Sequence, residues 1–378
     1  MLRIAIVGCG KIADQHVQAV QRVSGSRVVA VCDREPLMAR QLAERFAIES
    51  CFADLSELLR VAKPDVVHIT TPPQSHHDLA IQCLASGSHV YLEKPFTVTA
   101  DEAVALIGAA ERFGKLITAG HNYQFTPEMM RMRRLVDQGF LGGGPVHMES
   151  YWSYDLSDVS YVGPLLGNPN HWVRRLPGAL LHNIVSHGIA RLAEYLDDDL
   201  EEITCLTHQS ELLKALGGQD VMDELRLLMR DKKGNTATFC FSTQVKPGLN
   251  QLRLFGRENS LTVDLVSGSV IAQRGRSYKS YLTFVVPPLI AARQHFSAAW
   301  CNLVDILRWR LYQDSGVTEL IRRLHESVAK SGPPPIPYRE ILLTARIMDD
   351  AFRTMNQRQD RTRAAALVDA GALRAAAR

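Results

Sequence analysis

The sequence predicts an α/β protein: a doubly wound parallel sheet first, then a second, α+β domain. Three observations carry this. Leu2 to Val7 is an almost wholly apolar run that opens directly onto G-x-G-x-x-A at Gly8, Gly10 and Ala13, with helical periodicity behind it. Apolar runs then alternate with helical patterns to about Ala119. From Pro145 the periodicity changes, and beyond Leu200 short strand candidates follow one another with turn residues between them. Alternating strands and helices build a parallel sheet, whereas consecutive short strands build a meander.

The first run reads as a strand buried on both faces. Gly8 permits the tight turn off it. Gly10 carries no side chain, so a pyrophosphate can approach the backbone, and Ala13 lets the helix pack close. The helix then points unpaired N–H groups at the phosphates. A second apolar strand, Arg27 to Cys32, ends in Asp33, at the spacing of the acid that bonds an adenosine ribose. Strand, glycine turn, helix, strand and terminal acid together mark a dinucleotide site of the Rossmann type. Asp33 favours NAD, because a carboxylate repels a 2′-phosphate. Arg34, able to meet a phosphate or stack on adenine, keeps NADP open.

Helical periodicity covers Pro36 to Phe46 and resumes over Asp54 to Val61. Asp65 to Thr70 is the next buried strand. It stops at Thr71-Pro72-Pro73, which places these residues at the carboxyl edge of the sheet, where ligands of open α/β sheets bind. A helix from His76 to Ser86 ends at Gly87. The strand after it runs from His89 to Glu93 and is followed by Lys94-Pro95. A lysine at that edge sheds its proton more readily if buried or near a positive charge; a surface Glu–Lys pair is the plainer alternative. Thr99 to Phe113 is a helix closed by Gly114, and Leu116 to Ala119 a last short strand. The nucleotide-binding domain is therefore assigned to residues 1–122, and a linking helix follows from Pro127 to Gln138.

A chain of 378 residues has room for two cores. Its net charge of +3 is small for its size and gives no reason to expect nucleic acid or a membrane surface as partner. No apolar stretch approaches the ~20 residues that span a bilayer, and the first strand is no signal peptide. A cytoplasmic protein is expected. The seven cysteines form no C-x-x-C pair and are expected to be reduced. Cys9, inside the glycine turn, is expected to serve as a small side chain. No metal site is expected.

In the second part, Pro145 to Leu156 reads as a strand with Trp152 and Tyr154 near its end, followed by a loop from Gly163 to Asn170. Gly178 breaks the chain before a helix from Leu180 to Leu196. Asn183 and His187 lie four apart on one face of it, which suggests a pocket. A satisfied polar pair within the helix is the alternative. Strand candidates are Glu202–Leu206, Asp223–Arg230, Thr236–Phe241, Asn250–Phe255 and Ser260–Asp264. Helices are expected near Ala292–Arg310 and, half-solvated, over Val317–Ala329. A proline-fixed connector leads to an amphipathic helix, Ile341–Phe352. The division is 123–340 for a substrate and oligomerisation domain, 341–356 for a helix returning to the first domain, and 357–378 for a frayed tail.

TPPQSHHDLAIQCLASGSHVYLEKP, residues 71–95, closely resembles the signature of the Gfo/Idh/MocA oxidoreductases, matching at Thr71-Pro72, His76, Ala80, Leu84, Gly87, His89-Val90 and Glu93-Lys94-Pro95 without a gap. HNYQFTP, residues 121–127, resembles the family's next segment. The resemblance implies a large, open, mostly antiparallel sheet in the second domain, with homodimers or homotetramers formed through it. It implies that Gly8, Gly10, Lys11 and Ile12 meet the pyrophosphate and Asp33 the ribose, with Arg34 beside it. Thr71, Pro72 and His76 would line the nicotinamide side, Asn122 would also meet the cofactor, and Glu93 and Lys94 would face cofactor and substrate, with Lys94–Pro95 cis. Pro73 stands where the family often has Asn.

In G-G-x-L-x-D-x-G-x-H, the family's second motif, Gly178 and His187 match, but Ala179, Asn183 and Val185 replace Gly, Asp and Gly. Asn cannot exchange a proton at neutral pH, so proton transfer falls to His187 or Lys94 and Asn183 orients the substrate. Unperturbed, His187 has the better pKa for the task. His171, Trp172, Arg174 and His182 are further candidates to line the substrate pocket. The implied activity is hydride transfer between NAD(P) and a hydroxyl carbon of a sugar, cyclitol or nucleotide-sugar. Two other readings stay open: a nicotinamide-binding sensor without turnover, and a lyase or glycosidase that uses tightly bound NAD transiently.

Overall fold

The computed structural model describes residues 1–156, 163, 165–218, 221–307 and 315–376, with side chains of the last helix described through Arg358. Six parallel strands, β1 (Leu2–Val7), β2 (Ser26–Cys32), β3 (Ser50–Phe52), β4 (Val66–Ile69), β5 (His89–Leu92) and β6 (Ile117–Ala119), form one sheet in the order 3-2-1-4-5-6. This is the doubly wound order, and it reverses between β1 and β4. The central strands are buried on both faces, as their apolar runs require. β3 was not expected, since three residues carry no readable period.

Helices α1 (Lys11–Arg22), α2 (Pro36–Phe46), α3 (Leu55–Ala62), α4 (His76–Ala85) and α5 (Ala100–Phe113) complete the alternation. Their ends follow local chemistry. Asp54 and Thr99 accept hydrogen bonds from Glu57 N and Glu102 N at the starts of α3 and α5. Gly114 closes α5 at φ +63°, in the left-handed region.

The second sheet has seven strands: β7 (His147–Ser153), β8 (Leu200–His208), β9 (Glu224–Asp231), β10 (Thr236–Ser242), β11 (Asn250–Phe255), β12 (Asn259–Asp264) and β13 (Ser269–Arg274). Their order is 13-12-11-7-10-9-8, antiparallel throughout except where β7 lies parallel to β10. The meander is thus split in two by β7, which enters from far upstream. The linking helix α6 (Pro127–Asp137) begins at the Thr126 cap. α7 (Ala179–Ala193) covers the sheet and is buried from Leu180 to Ala193. α8 (Glu211–Ala215) is a short turn of helix, and α9 (Val286–Leu307) crosses near β13. Pro164 and residues 308–314, part of the expected loop and helix, lie outside the described residues.

Two C-terminal helices reach the first domain. α10 (Ser315–Lys330) packs on α1, and Val317, Leu320, Ile321 and Leu324 join the core of the first sheet. Its apolar stripe at i, i+3, i+4 and i+7 explains this, and its charges face away. α11 (Tyr338–Ala376) is one long helix where a frayed end was expected. The alanine- and arginine-rich tail has the propensity to continue it. The helix touches α5, α7 and β8, and Asp349 accepts a hydrogen bond from Ala100 N at 2.7 Å. None of the described helices is long and apolar enough to cross a membrane.

Because Leu324 is fully buried between α10 and the first sheet's helices, Leu324→Ala is expected to lower unfolding stability by about 2–5 kcal/mol. Urea denaturation measures this. A change within the scatter of a surface substitution would show that α10 is not part of that core.

Candidate active site

The site begins at the glycine turn. Gly8 has φ +95°, and a Cβ there would stand 2.7 Å from Thr71 Cγ2 and 2.9 Å from Thr71 N. Only glycine lets β1 and β4 approach so closely. Thr70 locks the junction by donating from Oγ1 to Gly8 O at 2.5 Å. Gly10 precedes α1, and the space where its Cβ would point is open. Lys11 is exposed and Ile12 half-buried on the first turn of α1. Asp33 braces the turn, its Oδ2 accepting from Cys9 N at 2.7 Å and its Oδ1 from Glu35 N at 2.9 Å. Each oxygen retains a lone pair for a ribose hydroxyl. Arg34 beside it is exposed. An open cradle, unpaired N–H groups and an acid at the next strand end fit a dinucleotide. The Cys9 thiol is pushed up to about 12 by burial and by Asp33, so it stays protonated and inert.

Thr71 and Pro72 sit on the carboxyl edge beside Gly8, half-buried and exposed respectively. His76 is fully buried, with Nε2 2.9 Å from Thr71 O and Nδ1 3.1 Å from Phe96 O. It therefore braces the two edge loops from behind and reaches a ligand only through them. Burial lowers its pKa. The Lys94–Pro95 peptide is cis, as the resemblance implied. Glu93 is buried; its Oε1 meets His16 Nε2 at 3.0 Å and its Oε2 accepts from Lys94 N at 3.0 Å. Burial raises the Glu93 pKa, but His16 and Lys94 outweigh it and hold the carboxyl below its usual range. Asn122, half-buried, opens the short 3-10 turn Asn122–Phe125, onto which α10 packs closely at Gly316.

Across the cleft, α7 presents its first two turns. Lys94 Nζ donates to Asn183 O at 3.1 Å, so the two halves of the chain meet at this bond. Lys94, Asn183 and His187 line one cleft of about 570 Å³ with Tyr123, Trp152 and Lys246. The His187 ring lies flat on Trp152, 5.4 Å between centroids and 8° between planes, and edge-on to Tyr123. Burial, then Lys94, His121 and Arg191, push its pKa well down, so the imidazole is neutral. Burial likewise lowers Lys94, against the pull of Glu93. Arg191 is wholly buried beneath the cleft, its guanidinium 5.1 Å from the Trp152 ring and bonded to Asn250 Oδ1 and Ser150 Oγ.

Other expected pocket residues stand elsewhere. His182 is buried against Phe352, 4.9 Å between ring centroids, with its pKa lowered to about 4 by burial. It faces away from the cleft, because one residue on a helix turns the side chain through about 100°. Arg174 donates to Leu165 O at 2.7 Å and Leu166 O at 3.3 Å, which braces its own loop. His171 caps the turn Trp172–Arg175, and Trp172 O accepts from Gln74 Nε2 at 2.9 Å, tying that loop to the Thr71 edge. Tyr123, Tyr154, Asp155 and Lys246 line the cleft without having been singled out. The position of Tyr123, just past the β6 edge, was a usable signal. Lys246 sits in a β10–β11 loop whose place no local pattern shows.

Residues 2–121 match the family model described as an oxidoreductase family with an NAD-binding Rossmann fold. Among curated relatives, the chain is 32% identical over 142 residues to D-glucoside 3-dehydrogenase of Escherichia coli (strain K12), covering 37% of this chain and 40% of that protein. It is thus aligned to about two fifths of that enzyme's length. Similarity to D-apiose dehydrogenase of Paraburkholderia graminis is longer, 24% over 311 residues, 80% of this chain and 78% of that one. Among solved structures, a dehydrogenase from Chromobacterium violaceum superposes with a TM-score of 0.75 at 17% identity, covering 97% of this chain and 98% of that one, which establishes the two-sheet fold. Residues 2–121, the nucleotide-binding domain, thus belong to the Gfo/Idh/MocA type of NAD-binding Rossmann domain.

Proposed function

We propose that this protein is a nicotinamide-dependent dehydrogenase that moves hydride between NAD and a hydroxyl carbon of a sugar, cyclitol or nucleotide-sugar. The observation that carries the proposal is the Lys94–Asn183 contact. It sets an amine from the nucleotide domain into the cleft beside Asn183 and His187 of α7. The cleft volume of about 570 Å³ suits a monosaccharide-sized ligand. The names of the relatives, a glucoside and an apiose dehydrogenase, supply the substrate class. Asp33 favours NAD over NADP. The reading includes a cytoplasmic location and assembly as a homodimer or homotetramer through the second sheet.

NAD, when bound, supplies the hydride acceptor. The hydroxyl proton falls to this chain's own side chains. Here the environment reverses the preference drawn from unperturbed pKa values. An imidazole whose pKa is driven well below neutral is a weak base, and His187 is so placed. Lys94, lowered from a high starting value, stays the stronger base of the two and yet loses its own proton more readily than a free lysine. Lys94 takes the hydroxyl proton; His187, neutral and fixed on Trp152, hydrogen-bonds the reacting oxygen; Asn183 holds a neighbouring hydroxyl.

Purified protein is to be assayed for NAD⁺ reduction with methyl β-D-glucoside, D-apiose and myo-inositol. Failure to bind either NADH or NADPH would overturn the proposal, and binding without turnover would favour the sensor. Lys94→Ala is expected to cut turnover by about 10²–10⁴-fold with NAD⁺ affinity retained in calorimetric titration, and His187→Ala to cut it less. Release of cofactor by Lys94→Ala would make that lysine structural instead. The pH profile of kcat/KM for oxidation is expected to rise as Lys94 loses its proton and to level off below the free-lysine value of about 10.4. Glu93 raises the Lys94 pKa, so Glu93→Gln moves the rise to lower pH. A rise left in place would separate Lys94 from the reaction.

A further inference from the structure

A line of polar side chains crosses the otherwise apolar core of the first sheet. Glu93 Oε1 meets His16 Nε2 at 3.0 Å, and His16 Nδ1 meets His68 Nδ1 at 3.1 Å. His68 Nε2 lies 3.4 Å from His325 Nε2, and His325 Nδ1 lies 2.8 Å from Ser26 Oγ. His16, His68 and His325 are 0%, 0% and 3% exposed, whereas Ser26 is half-buried. The rings come from α1, β4 and α10. Glu93 stands just past β5 at the carboxyl edge, and Ser26 begins β2, so the line runs from one edge of the sheet to the other. Packing alone does not ask for three imidazoles where leucines would fill the space at no desolvation cost.

The connectivity has a direction. With one N–H on each ring, the Glu93 carboxylate can only accept, so His16 donates from Nε2. His16 Nδ1 then accepts from His68 Nδ1–H, His68 Nε2 accepts from His325 Nε2–H, and His325 Nδ1 accepts from the Ser26 hydroxyl. A proton arriving at Ser26 moves each hydrogen one bond inward and leaves Glu93 as a carboxylic acid. Every ring has then exchanged its tautomer. The same chain now donates outward, so the return of that proton to solvent restores the first state with no ring turning.

We propose that Glu93 exchanges one proton with bulk water through His16, His68, His325 and Ser26, so that the charge beside Lys94 is adjusted from the far edge of the sheet without opening the cleft. No oxidant or co-reactant is needed; water gives and takes the proton. Burial keeps His68 and His325 neutral, the latter with its pKa lowered to about 4, which suits tautomer exchange over charge storage. The groups facing Glu93 are His16, Lys94, His121, His76 and Tyr91, and the Tyr91 ring also packs on His16 and His68. The use of the line in catalysis rests on the dehydrogenase reading; the line itself does not.

The test is an acid titration of the full chain carrying nitrogen-labelled histidine and carboxyl-labelled glutamate, followed by NMR. At neutral pH the protonated nitrogens are expected to be Nε2 of His16, Nδ1 of His68 and Nε2 of His325. As Glu93 protonates, all three tautomers are expected to switch together, in Tyr91→Phe as in the wild type. In His68→Phe the His325 tautomer no longer follows Glu93; if that variant does not fold, His325→Gln serves, leaving the His16 and His68 tautomers without their joint switch. Protonation of Glu93 with the wild-type rings unchanged, or an imidazolium in the line above the value of about 4 to which burial lowers His325, would overturn the proposal. Absence of NADH formation in the substrate assays would overturn the dehydrogenase reading and leave this measurement standing.

Discussion

The close approach of Gly8 to Thr71 is the constraint on which the rest depends. β1 and β4 are neighbours where the strand order of the first sheet reverses, and their carboxyl ends meet with no room for a side chain. That contact aims α1 at the opening and sets the Thr71–Ser75 turn beside it. Gln74 and His76 carry the constraint onward, one to the Trp172 carbonyl, the other to the loop that follows Lys94–Pro95. The nucleotide cradle, the lysine and the approach to the second sheet are thus placed by one backbone fit.

Much of the first sheet was legible because each piece is dictated locally. Apolar runs of four to seven residues, glycines at φ-demanding turns and side-chain caps need no distant partner. Gly8, Asp33, Thr71, Glu93 and Lys94 all sit at strand ends, and strand ends can be read. The second sheet was legible only in part. The strands β8 to β12 show in the alternation, but the placing of β7 between β10 and β11 depends on long-range pairing that no window of sequence contains. The stripe of α10 was visible as a period, but not what it would cover.

The site shows the same division. Asn183 and His187, four apart on a helix, could be paired from spacing. His182 could not be separated from them by chemistry alone; the structure turns it onto Phe352. Arg174 looks like a ligand hand and is occupied by the carbonyl oxygens of its own loop. Tyr123, Trp152 and Lys246 come to the cleft from a 3-10 turn, from β7 and from the β10–β11 loop. The pKa values were the least legible property, because burial decides them, and burial belongs to the folded state: it takes from His187 the basicity that its residue type suggests.

The C-terminal helices have a bearing on how the molecule is made. α10 covers α1, and Phe352 of α11 lies where a Cβ on Gly178 would come within 2.4 Å of it, at the start of the helix that bears Asn183 and His187. A nascent chain leaves the ribosome from its N-terminus, and domains fold in that order when they can. Here the earliest-made sheet keeps an uncovered apolar flank until residues 315–330 emerge, and α7 lacks its wedge until Phe352 follows. Neither half therefore closes until residue 352 has been made, and until then both keep apolar surface open.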